Sequence, residues 1–218
     1  MTQLGRAGSA RGEIVLRQRP DGHLELRANG VFVMDTLEHT SERALATEAL
    51  RHAGARPLRV LVGGLGLGFT LAAALADDRV TRCTVVEIEP ALVGWLRNGT
   101  VPHGPAMLAD PRVEVVVDDV ADVLRSVAAS SYDLVLLDVD NGPGYLVHDA
   151  NAALYAGSGL ADARAALADD GMLVVWSASP APDLEAALRE VFGNAEENRY
   201  AVPGHGRAGD YFLYSARR

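Results

Sequence analysis

The chain contains no lysine: all 20 of its basic residues are arginine. A phosphate-binding loop ending in Gly-Lys-Ser/Thr is therefore excluded, and so is the Schiff-base chemistry of a lysine amine, with or without pyridoxal. Cysteine is nearly absent as well. With Cys83 alone there is no internal disulfide, no thiolate metal cluster and no redox pair. At the head of an apolar strand it reads as a small core residue rather than a nucleophile. No stretch approaches the ~18 uninterrupted apolar residues of a membrane helix, and the first residues, polar and rich in Gly, Ala and Arg, lack an apolar signal core. A cytoplasmic protein without a membrane partner is expected. Positive charge is outweighed: a net charge of −9 and a pI near 5.1 disfavour nucleic acid as a partner. The six histidines are scattered without ligand spacing, so no metal is expected.

What remains is a chain of 218 residues, 49% hydrophobic, long enough for one well-buried domain and a small appendage. Its most informative segment is the apolar run Val60-Leu61-Val62 breaking into Gly63-Gly64-Leu65-Gly66-Leu67-Gly68, a buried strand that turns on glycine into a helix. About twenty residues on, the next strand ends in Glu87, where a Rossmann-type unit places the carboxylate that holds a ribose. A nucleoside ligand is expected. Dinucleotide enzymes use G-x-G-x-x-G, but the third position after Gly64-x-Gly66 is Phe69, which weakens a pyrophosphate reading. Gly63, Gly64, Gly66 and Gly68 suit a ligand without phosphate, such as S-adenosylmethionine, whose tail lies along bare backbone.

Ahead of this unit, Glu13 to Leu16, His23 to Arg27 and Val31 to Asp35 alternate between Pro20-Asp21-Gly22 and Asn29-Gly30 turns, predicting a small antiparallel sheet after a ragged first dozen residues. A helix follows from about Ser41, its expected cap, to His52. From Leu58 onward, strands near 58–63, 82–87, 113–117, 132–138 and 171–177 alternate with helices near 67–76, 90–97, 120–128, 155–168 and 182–192. That is an α/β, doubly wound Rossmann-like sheet. Two last strands, Glu197 to Val202 and Asp210 to Ala216, joined through Pro203-Gly204-His205-Gly206, give the terminal antiparallel hairpin of a seven-stranded methyltransferase fold. The expected division is residues 1–54 and 55–218.

Ligands of such sheets bind beyond the carboxyl ends of the strands. There stand the glycine turn, Glu87 for the ribose hydroxyls, Asp118 and Asp119, and Asp138-Val139-Asp140-Asn141. Asp119 is placed for an adenine amino group; either of Asp118 and Asp119 equally suits a helix cap, one capping while the other binds. Asp138, after four apolar residues of a central strand, is held at the mouth of the site. The patternless stretch from Val139 to about Ala153, carrying Tyr145, His148, Asp149 and Asn151, has the length of a functional loop and is placed to close over an acceptor. His148 is a candidate base or a merely exposed loop residue.

These residues also carry a resemblance. From Leu24 to the end the chain resembles the spermidine synthases, or polyamine aminopropyltransferases. It does so in the glycine turn, in Val86-Glu87-Ile88-Glu89 for the family's V-E-I-D, in Asp119, in Tyr132 to Asp138 and in Ser179-Pro180. The resemblance implies a small N-terminal β-domain, a methyltransferase-type domain, decarboxylated S-adenosylmethionine as co-substrate, a small-molecule acceptor and a homodimer formed through the N-terminal sheet.

Three positions depart from the family pattern. Gly66 stands where G-G-G-D-G-G has the acid that meets the propylamine tail. The diamine-holding Tyr-x-Glu aligns with Ala46-Thr47-Glu48, keeping only Glu48. The family's D-S-S-D aligns with Asp138 to Asn141, placing Asn141 where the amine-activating acid belongs and leaving Asp140 able to substitute only by a one-residue shift. Ordinary putrescine aminopropylation is disfavoured, and the loss at Gly66 tilts the donor towards intact S-adenosylmethionine and methyl transfer. The expected activity is alkyl transfer, methyl or aminopropyl, to an amine or hydroxyl. Asp138, Asp140 and Asn141 are its catalytic candidates, and Glu48, Tyr145 and His148 its acceptor-binding ones. The alternative is a non-catalytic nucleoside-binding or assembly protein. A nicotinamide oxidoreductase fits the sheet and fails on glycine spacing.

Overall fold

The computed structural model describes residues 1–144, 146, 149–201 and 210–218. Two sheets form. The first is antiparallel in the order β1 (Thr2–Ser9), β2 (Gly12–Gln18), β3 (Leu24–Ala28), β4 (Val31–Asp35). The β3–β4 turn is two residues, Asn29 (φ 51°) and Gly30 (φ 79°), the positive-φ pair that a tight hairpin requires. The first strand corrects the expectation of a ragged start. Its side chains are mostly exposed and carry no alternation, so pairing with β2 and a bulge at Gln3/Gly5 fix it instead. Trp95 packs where a Gly5 Cβ would be, 2.5 Å from its Cε2.

Helix α1 (Thr40–His52) begins one residue before Ser41, which does not cap it. The Ser41 hydroxyl donates instead to Glu42 Oε2 at 2.7 Å.

The second sheet has seven strands: β5 (Leu58–Gly63), β6 (Val80–Glu87), β7 (Val113–Val117), β8 (Tyr132–Leu137), β9 (Leu167–Ser177), β10 (Glu196–Ala201) and β11 (Asp210–Arg217). Their order is β10-β11-β9-β8-β5-β6-β7, with β11 antiparallel between β9 and β10 and the pairs from β9 to β7 parallel. The turn expected at residues 203–206 lies outside the described residues. The intervening helices are α2 (Phe69–Leu75), α3 (Pro90–Arg97), α4 (Gly104–Leu108), α5 (Val120–Ser126), α6 (Gly157–Ala166) and α7 (Pro182–Phe192). A 3-10 helix (Asp149–Tyr155) occupies part of the stretch expected to be patternless. It and α4, five residues long, are too short to leave a period in the sequence.

Strand alternation sorts the core into two layers. Val60, Val62, Leu134 and Leu136 pack with residues of α1, α2 and α3, whereas Leu61, Val135 and Leu137 pack with α5, α6 and α7. Ile14, Leu16, Leu26 and Met34 of the N-terminal sheet belong to the first of these layers. Cys83 is buried in it, and burial pushes its thiol up to about 12. Among the described residues no helix is long and apolar enough to cross a membrane.

Candidate active site

From β5 the chain goes to β6 on one side and to β8 on the other, so the strand order reverses there and a crevice opens beyond the strand ends. Two backbone bonds stitch the glycine turn to both neighbours: Gly64 N donates to Val86 O (2.9 Å) and Asp138 N to Gly63 O (2.8 Å). At Gly64 (φ 91°) a Cβ would stand 2.1 Å from Asp138 O, and at Gly66 (φ 50°) 2.6 Å from Met34 Sδ, so both positions admit only bare backbone. These two glycines line the cleft, while Gly63 ends β5 and Gly68 immediately precedes α2.

Glu87, the buried last residue of β6, holds this turn with its own carboxylate. Oε2 accepts from Leu65 N (3.0 Å) and Oε1 from Glu89 N (2.8 Å). Burial raises its pKa, against the pull of these backbone N–H groups. The remaining lone pairs of the two oxygens are what a diol would meet. Of the acids after β7, Asp119 takes the cap: Oδ1 accepts from Ala121 N at 2.9 Å, and Oδ2 lies 3.5 Å from Arg11 Nη2. Asp118 Oδ1 accepts from Asp119 N (2.8 Å), and both residues line the cleft.

Asp138 stands just past β8. Its Oδ2 lies 2.8 Å from Thr70 Oγ1, and burial pushes the carboxyl up to about 6 in spite of that hydroxyl. Across the cleft floor Glu42, buried on α1, is pushed up to about 7 by burial and then by the charge of Asp138. Asp140 adopts a left-handed backbone (φ 57°) and accepts from Asn151 Nδ2 at 2.8 Å. Tyr155 donates its hydroxyl to Val139 O (2.8 Å), so the 3-10 helix fastens the loop that carries the acids. Asn141 lines the cleft and its carbonyl accepts from Ala178 N.

The sequence reading named Glu48 as the acceptor-side acid of α1. Glu48 does not line the cleft; it pairs with Arg51 (3.0 Å) and with the Tyr200 hydroxyl. Glu42 lines the cleft instead, and a signal for it existed. Glu42, Leu45, Ala46 and Ala49 follow i, i+3, i+4, i+7, which puts an acid in line with the buried face of the helix. Tyr145 and His148 lie outside the described residues. Thr70, Met34, Arg11 and Trp176 were not anticipated at all.

Met34 lies over the turn, its sulfur 3.1 Å from Leu67 N. Trp176 forms part of the wall, with its buried Nε1 unpartnered among the described residues. The described lining carries the acids Glu13, Glu42, Glu87, Glu89, Asp118, Asp119, Asp138 and Asp140 against a single cation, Arg11. Such a cleft concentrates cationic ligands.

No family profile matches the chain. The polyamine aminopropyltransferase of Mycobacterium tuberculosis is 31% identical over 175 residues, 79% of this chain and 32% of that protein. Polyamine aminopropyltransferase 1 of Hyperthermus butylicus is 27% identical over 155 residues, 67% of this chain and 52% of that one. A spermidine synthase solved with the transition-state analogue AdoDATO superposes over 99% of this chain and 73% of its own, with a TM-score of 0.84 at 20% identity. The chain is similar in sequence to polyamine aminopropyltransferases over most of its length and has the fold of the spermidine synthases. It spans about a third to a half of the length of these curated relatives. Putrescine N-methyltransferase 3 of Nicotiana tabacum is also similar, 34% identical over 82 residues, 38% of this chain and 21% of that protein.

Within this spermidine synthase fold, the absence of an acid at Gly66 has a steric counterpart: the Met34 thioether occupies the space a side chain there would need. Besides Glu87, the cleft beside the glycine turn is lined by two further acids, Glu42 of α1 and Asp138 just past β8. The described residues contain no cluster of three metal-ligating side chains.

Proposed function

We propose that this protein is a sulfonium-dependent alkyl transferase that moves the aminopropyl group of decarboxylated S-adenosylmethionine to a small amine. The observation that carries this reading is the Glu42–Asp138 pair on the floor of a cleft whose only lining cation among the described residues, Arg11, is paired with Asp119. A donor tail ending in an ammonium is attracted there, whereas the extra carboxylate of intact S-adenosylmethionine meets two acids. This outweighs the inference drawn from Gly66 alone, because the Glu42–Asp138 pair supplies the acid that Gly66 lacks.

Glu87 holds the ribose and the Asp118–Asp119 corner faces the base. Asp138 takes a proton from the acceptor's ammonium, freeing the nitrogen lone pair. That pair then forms the new C–N bond as the C–S bond breaks, its electrons passing to sulfur and leaving a neutral thioether. Most of the acceleration comes from holding nitrogen and carbon in line. Asn141 orients the acceptor through its amide, and Asp140, held by Asn151, is the second anionic pole of the acceptor side. A homodimer through the exposed outer strand β1, with Leu4 on its surface, fits the same reading.

Calorimetric titration with the decarboxylated donor, the intact donor and NAD tests it. Tighter binding of the decarboxylated form is expected. Preference for the intact donor would make the reaction methyl transfer, and binding of neither sulfonium would overturn the assignment.

A further inference from the structure

Thr70 is the second residue of α2 and is almost wholly buried (2% exposed), with its hydroxyl between two oxygens: Asp138 Oδ2 at 2.8 Å and Glu42 O at 3.1 Å. It is the one hydrogen-bond donor that the Asp138 carboxylate meets among the described residues. We propose that Thr70 is a positioning residue, whose hydroxyl holds the Asp138 carboxylate in the orientation and charge state in which it takes the acceptor's proton.

Two carboxyls on one desolvated floor cannot both ionise cheaply, so below neutral pH they hold a proton between them. Which one holds it decides whether the base is ready. Glu42 has a donor of its own, the partly exposed Ser41. The donor to Asp138 is the more deeply buried of the two, and a donor to a carboxylate favours its charged form most where water does not compete. The hydroxyl suits both states of Asp138. It donates to the carboxylate, and once Asp138 is protonated on Oδ2 it accepts from that acid and turns its own hydrogen to the Glu42 carbonyl, leaving no buried group unpaired. The other titratable groups in electrostatic contact with the pair are Glu38 and Tyr211 on the Glu42 side and Tyr155 on the Asp138 side. None of these supplies a cation.

The inference rests on the proposed reaction for its purpose, but its test does not need turnover. In ligand-free protein labelled with carboxyl-13C aspartate, the Asp138 resonance is assigned with Asp138→Asn and titrated. Thr70→Val, which keeps the shape and removes the hydroxyl, is expected to move the Asp138 midpoint up by about one pH unit, the equivalent of one hydrogen bond to a charged group. Thr70→Ser is expected to restore it. Where turnover with the decarboxylated donor is measurable, the acid limb of the kcat profile moves with the midpoint, while donor KM stays within about twofold. An unchanged Asp138 midpoint in a folded Thr70→Val protein, or Thr70→Ser behaving like Thr70→Val, overturns the proposal. Absence of turnover in the unmodified protein would count against the proposed reaction alone.

Discussion

Replacing Glu42 by Gln removes one carboxyl from the cleft floor while keeping the length of the side chain and an oxygen for the Ser41 hydroxyl. Burial and Asp138 lift the Glu42 carboxyl from 4.5 to about 7. Between those values the folded protein holds a proton that the unfolded chain has released, so the native state binds more protons and stability falls as the pH rises through the window. Each unit of displacement is worth about 1.4 kcal/mol, so ionising Glu42 in place costs the fold about 3 kcal/mol by pH 8. Glutamine carries no such cost, and its removal of charge also relieves Asp138. Urea denaturation at pH 4.5 and pH 8 measures the difference. The variant should match the parent at the lower pH and exceed it by about 2–3 kcal/mol at the higher one. A stability difference that is the same at both pH values would show that Glu42 is not held protonated by its surroundings.

Glu87→Ala should abolish binding of the sulfonium nucleoside in calorimetry, because it removes both the diol acceptor and the bond from Leu65 N that holds the glycine turn; retained affinity would move the ribose elsewhere. Asp138→Asn should lower kcat, measured at saturating donor, by about 100-fold or more, the usual scale of a lost general base. An unaffected rate would take the base away from Asp138. Gly66→Ala, which drives a Cβ to 2.6 Å from Met34 Sδ at a φ of 50°, should lower stability by about 1–3 kcal/mol. A second change, Met34→Ala, should not bring that loss back, since the backbone strain stays; full recovery in thermal melts would show that the clash alone sets the cost.

The parallel sheet was legible because most of its strands are apolar runs that stop at glycine or an acid, and residues 58–63 and 113–117 were read to the residue. Strand β1 was not, since its polar, mostly exposed side chains record no facing and its pairing partner decides its structure. The site divided in the same way. Acids at strand ends are found by topology, so Glu87 and Asp138 could be named from the pattern alone. Residues that reach the cleft from a helix flank depend on rotation about the helix axis, and there a motif alignment chose Glu48 where the periodic face pointed to Glu42. Asp118 and Asp119 are interchangeable in sequence; only the N–H of Ala121 distinguishes them. Thr70 carries no chemical signature by itself and gains meaning only from what packs around its hydroxyl.

Met34 sits in the shared apolar layer and at the same time forms the cleft wall over the glycine turn. One side chain therefore answers to two selective pressures. A search for altered donor preference at this position would return mainly poorly folding clones, and useful changes would arrive in pairs, with a neighbour such as Leu26 or Ile14 refilling the volume. The recognition properties of this cleft are accordingly constrained to evolve no faster than the interior against which they are built.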